Sequence, residues 1–196
     1  MQAVAAFSRR FPRIGLDISG GSHGRLYQLL TGGQADLVFS DQRRDLSRNF
    51  VNLYLTSSRL VAVVARQGRQ RDSRQSPQRA TGSADVRELA DLPVILLASD
   101  DQRSAEEDFH HSALGLTSRC IFASSREEAQ LLMAANQGYL LMDEGESAQV
   151  DPQVGRALAL TRQGEPLVRK YYAFWSRDNS GYYVEAFAQL LKSQFQ

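Results

Sequence analysis

Cysteine is almost missing from this chain: Cys120 stands alone, so no internal disulfide is available. Histidine is scarce too, and His23, His110 and His111 lack ligand-like spacing with Cys120. No metal site and no cofactor are therefore expected, and Cys120 reads as a small apolar residue beside a strand. Long apolar runs are absent, since residues 60–65 and 94–98 are far too short to cross a membrane. No basic segment followed by an apolar core opens the chain, so no secretory signal and no membrane partner are expected. Charge of one sign is not in excess: 23 basic against 22 acidic residues leave +1, and nothing in that balance argues for nucleic acid.

Catalytic parts are also wanting. His23 and the pair His110–His111 have no recognisable nucleophile partner. The Gly-Gly pairs at 20–21 and 32–33 lack the Lys-Ser or Lys-Thr that ends a phosphate loop. Paired acids at 100–101 and 143–144 read as helix-start and loop residues rather than an acid–base pair. The chain is not expected to be an enzyme.

What remains is enough for a folded core. At 196 residues, 42% of them hydrophobic, the chain can form one large domain or two small lobes. Residues 22–41 organise it. Leu26, Leu29 and Leu30 recur at helical spacing, and Thr31-Gly32-Gly33 stops that helix, because glycine takes the left-handed cap conformation readily. Residues 35–39 follow as a short apolar run suited to a strand. Upstream, Ile14, Leu16 and Ile18 alternate with Gly15 and Asp17, which predicts a half-buried strand before Gly20-Gly21. A helix joining two such strands predicts a right-handed parallel crossover.

Elsewhere the pattern alternates between strands and helices. Helices are expected over 2–10 (ended by Pro12), 86–92, 104–111, 125–136 and 182–195. Ser124 or Ser125 caps the fourth of these, with Glu127 and Glu128 in its first turn. Strands are expected over 51–55, 60–65, 94–98, 119–123, 139–142, 157–160 and 170–176. Arg9, Arg10 and Arg13 read as a solvated helix end. Arg66, Arg69, Arg71, Arg74 and Arg79, set among Gln, Ser, Gly and Pro, read as a polar surface loop without aromatic residues to stack on bases.

The order of these pieces resembles a known family. Phe11-Pro12, Ile14 to Ile18, Gly20-Gly21, Leu26 to Leu30, Gly33, Asp36 and Leu37 are similar to the effector-binding domain of LysR-type transcriptional regulators. The similarity continues through residues 89–96, through Arg103, Asp108, Phe109 and 113–116, and through 124–141. It implies an α/β, two-lobed fold of the type II periplasmic-binding-protein kind, each lobe a mostly parallel sheet flanked by helices. The first lobe would comprise 1–57 and 171–196, the second 58–170, with hinge strands near 56–60 and 168–172. The family's first strand and its helix-turn-helix are not recognisable in the sequence, so DNA contact is expected only through a domain outside it.

The function the resemblance implies is sensing and oligomerisation. A small-molecule effector would lie between the lobes of a cytoplasmic homodimer or tetramer and control DNA binding. A periplasmic-type solute-binding protein shares the fold and is the alternative. Ligands of open α/β sheets sit beyond the carboxyl ends of strands, often at helix N-termini. That rule and the resemblance select Gly21, Ser22, His23, Ser40, Asp41, Asp100, Asp101, Arg103, Ser124, Ser125 and Asp143. Four of these are carboxylates with only Arg43 and Arg103 close by in sequence, which favours a cationic, zwitterionic or neutral polar effector. For the dimer, the resemblance sets Val4 and Phe7 of one chain against Ala129, Leu132 and Met133 of the other.

Overall fold

The computed structural model describes residues 2–41, 48–66 and 82–195. Arg43, Arg69, Arg71, Arg74 and Arg79 lie outside them. In chain order the elements are α1 (Gln2–Arg10), α2 (His23–Thr31), β1 (Val38–Asp41), β2 (Phe50–Ala65), β3 (Ser83–Asp85), β4 (Val94–Leu97), α3 (Arg103–Ser112), β5 (Cys120–Ala123) and α4 (Arg126–Ala134). There follow β6 (Tyr139–Asp143), α5 (Glu144–Ser147), β7 (Gly155–Arg162), β8 (Glu165–Pro166), β9 (Val168–Ser176) and α6 (Tyr182–Lys192). The chain divides into two compact units, Met1–Ser57 with Lys170–Gln196, and Ser58–Arg169. Strands β2 and β9 each carry the chain from one unit into the other.

In the first unit β1 pairs antiparallel with β9, from Val38 opposite Phe174 to Asp41 opposite Tyr171. Leu55, Ala173, Trp175 and Ala188 form one apolar cluster, and Leu30, Val38 and Phe174 a second. α1 and the Phe11 that follows it lie against α6 through aromatic contacts: Phe7 meets Phe187 edge-on at 5.4 Å, and Phe11 meets Tyr183 at 5.2 Å. α2 is stopped as its glycines predict, with Gly33 at a φ of +68°.

The strand predicted over 14–18 does not form. Leu16 and Ile18 are 36% and 67% exposed, and no described strand pairs with them. Alternation alone cannot make a strand, because its backbone groups need a neighbouring strand to bond. The parallel crossover built on that strand is therefore not seen among the described residues.

The second unit is a mixed sheet. β4 pairs parallel with both β5 and β6, while β2 pairs antiparallel with β6 and β7. The expectation of mostly parallel sheets is thus corrected: the strands that cross between units run against their neighbours. One face of this sheet buries Leu60, Val94, Leu116, Tyr139 and Leu160, and the other Val63, Ile95, Ala129 and Met133. The segment predicted as a helix over 86–92 is a single 3-10 turn at Val86–Leu89, capped by Asp85.

Candidate functional site

In the first unit the expected positions converge. Ser22 caps α2, its side chain accepting from the Arg25 N–H at 3.2 Å. That cap sets His23 at the first turn, and β1 brings Ser40 and Asp41 beside it. His23 Nδ1 lies 3.3 Å from Ser40 Oγ and 3.9 Å from Asp41 Oδ1, and Ser40 Oγ donates to Asp41 Oδ1 at 3.2 Å. Asp41 is 8% exposed. An apolar recess lined by Leu26, Leu30, Val38 and Phe174 opens beside His23 and Ser40. The arrangement offers an acceptor, a hydroxyl and an imidazole against an apolar wall. Gly21 precedes it on the exposed approach to the helix.

In the second unit most of the expected residues are already engaged with their own elements. Asp100 pairs with Arg103 at 2.7 Å, and Asp101 accepts from Ser99 Oγ at 2.6 Å. Arg103 also lies over the Phe122 ring, 5.4 Å from its centroid. Asp143, nearly buried, accepts from Arg169 Nη1 at 3.2 Å. Ser125 is the cap of α4, accepting from the Glu128 N–H at 3.1 Å. The Glu128 carboxylate then reaches back to accept from both the Ser124 hydroxyl, at 2.6 Å, and the Ser124 N–H, at 2.8 Å. These hydrogen bonds, hydroxyl first, hold the Glu128 carboxyl below the usual carboxylate range, with Arg103 adding to the effect.

Glu128 and Arg169 were not among the expected site residues. Ser125-x-x-Glu128 is the spacing of a capping box, so the first was readable in principle. Arg169 is 26 residues from Asp143, and nothing local announces the pair. Asp100 and Asp143 both pair with arginines, the first with Arg103, which is close in sequence, and the second with Arg169, which the count of nearby basic residues left out.

Three of the five expected dimer residues belong to the chain's own core: Phe7, Ala129 and Met133 are each 2% exposed or less. The helical period was read correctly, but its apolar face turns inward. Val4 and Leu132 are half-buried, and Leu131, which was not selected, is 71% exposed on α4.

The profile of the LysR substrate binding domain matches residues 1–196. Among solved structures, the regulatory domain of MetR from N. meningitidis is 15% identical, with a TM-score of 0.72 over 98% of this chain and 85% of that one. The regulatory domain of CcmR from Synechocystis, solved in complex with 2-PG, is 14% identical, with a TM-score of 0.72 over 99% and 89%. HinK, a LysR family transcriptional regulator from Pseudomonas aeruginosa, is 21% identical with a TM-score of 0.69; the match covers 98% of this chain but only 64% of HinK. No curated protein matches the chain in sequence. The fold is the type II periplasmic-binding-protein-like α/β fold of these regulatory domains. By the match along its whole length, the chain belongs to the LysR substrate binding domain family.

Proposed function

We propose that this domain is the effector-sensing and oligomerising part of a cytoplasmic LysR-type transcriptional regulator, without enzymatic activity. A small polar metabolite is its effector, and binding of that metabolite governs DNA binding by the regulator. The observation that carries the reading is the His23–Ser40–Asp41 cluster, in which three polar side chains meet at the N-terminus of α2 and the carboxyl end of β1. Burying such a group against apolar residues costs free energy, which a ligand's own donors and acceptors offset.

The effector class narrows with the charges. Glu128 occupies the Ser124 N–H and hydroxyl, donors that an anion would otherwise use. Asp41 adds a carboxylate to the cluster, beside the Ser40 hydroxyl that donates to it, and a carboxylate repels an anion. The ligand is therefore neutral, zwitterionic or cationic, with an N–H or O–H directed at Asp41. Calorimetric titration with amines, amino acids and dicarboxylates tests this. Binding of an amine or amino acid that Asp41→Asn weakens supports it, and tight binding of a dicarboxylate indifferent to Asp41→Asn ends it. The gene sequence before Met1 tests the regulator reading itself: a helix-turn-helix supports it, and a secretory signal favours a solute-binding protein.

The dimer is side by side and antiparallel, α1 of one chain facing α4 of its partner. Val4, Leu131 and Leu132 are the larger apolar residues these helices offer outward in whole or part.

A further inference from the structure

We propose a binding site for one thiophilic divalent cation of the zinc class in the second unit, formed by Glu107, His111 and Cys120. It lies on side chains the effector reading does not use and stands independently of it.

The local fold brings these residues together. Glu107 and His111 are four apart on α3 and so share one face of its last turns. After α3 the chain turns at Gly115, whose φ is +70°, and the Leu116 N–H bonds back to the His110 carbonyl at 3.1 Å. This tight return sets Ser118 in the core and delivers Cys120, the first residue of β5, alongside the helix. His111 Nε2 then lies 3.9 Å from Cys120 Sγ, and the potential ligand atoms of all three residues fall within 4.8 Å of one another. Tetrahedral zinc with bonds of about 2.0–2.3 Å needs ligands about 3.3–3.8 Å apart, so rotamer adjustment closes the set.

The donor set selects the metal class. Thiolate and imidazole favour zinc and softer ions, and disfavour magnesium and calcium. Three protein ligands leave a fourth position for water or for the Ser118 carbonyl oxygen, already 3.2 Å from His111 Nε2. In the metal-free form that contact is a hydrogen bond donated by Nε2–H; coordination moves the imidazole proton to Nδ1 and releases the thiol proton to solvent. Burial, and then the charge of Glu107, push the Cys120 thiol up to about 11. The repulsion between thiolate and carboxylate is what a cation at this point removes. Access is open, since His111 is exposed and Glu107 and Cys120 are half-buried.

Titration of the full chain with Zn²⁺ against a chelating indicator, and with Co²⁺ followed by absorption, tests the site. One Zn²⁺ per chain with a dissociation constant on the order of micromolar or tighter, unaffected by excess Mg²⁺, and a thiolate-to-cobalt charge-transfer band are expected. Cys120→Ser abolishes the band, and His111→Gln and Glu107→Gln each weaken Zn²⁺ binding on the order of tenfold or more. Because His111 is exposed, its variant keeps the fold, which circular dichroism verifies. Absence of stoichiometric uptake at micromolar Zn²⁺, or uptake that Cys120→Ser and His111→Gln leave unchanged, overturns the proposal.

Discussion

Glu128 does at the start of α4 what a bound anion does at other helix N-termini: its carboxylate accepts the Ser124 N–H and hydroxyl while its own N–H is taken by Ser125. Its carboxyl is thereby held below the ordinary 4.5, with the Ser124 hydroxyl as the leading cause. A lowered folded value contributes stability above the ordinary value, and that contribution is lost as pH falls through the folded one. Ser124→Ala keeps the backbone N–H but removes the leading donor. The Glu128 value should rise toward 4.5, and the loss of stability on acidification should become shallower. NMR titration of the Glu128 side chain reads this directly; a value indifferent to Ser124→Ala would show that the hydroxyl bond is not what holds it down. Side-chain partners at this scale were legible only when close in sequence. A cap at Ser124 or Ser125 was expected and Ser125 supplies it, whereas Cys120 meets His111, and Asp143 meets Arg169, only because the chain folds back.

Among elements, those with an internal signal were readable and those that depend on a neighbour were not. α2 and α4 carry apolar residues at helical spacing with a serine before the first turn, and both form. Residues 14–18 carry an equally good strand pattern but have no described partner, so Leu16 and Ile18 stay exposed. The turn from α4 into β6 shows how tightly neighbours decide. A Cβ on Gly138 would fall against the Pro93 carbonyl oxygen, well inside van der Waals contact, and 3.0 Å from Ile95 Cγ1. Backbone does not yield as a side-chain tip does, so Gly138→Ala should prise β6 from β4 and cost about 1–3 kcal/mol in denaturant unfolding. On the outer face of α4, Leu131 is 71% exposed and packs against little of its own chain. Leu131→Arg should therefore leave thermal stability nearly unchanged while shifting the chain toward monomer in sedimentation velocity. Self-association unaltered by that change would move the interface off α4.

At the scale of the whole molecule the fold class was legible from order rather than from any one motif. No stretch of the chain is diagnostic alone, yet the sequence of weak signals matches the LysR substrate binding domain over residues 1–196. The mixed pairing of the sheets was not legible, because strand direction depends on where β2 and β9 cross between units. The same scale bears on nucleic acid. Affinity for a duplex rises with the number of phosphates a protein neutralises, and each such contact steepens the dependence on salt. Here 23 basic residues face 22 acidic ones, and several of the arginines are spent internally, Arg169 on Asp143 and Arg103 on Asp100. A domain with so little net positive field lacks the electrostatic term that supports even non-specific binding. This chain alone should therefore give no sequence-specific shift of duplex DNA at physiological salt, and only weak, salt-sensitive retention at low salt. Nanomolar, sequence-specific binding in a mobility-shift assay would contradict this and would direct attention to Arg66, Arg69, Arg71, Arg74 and Arg79, a basic run in the sequence.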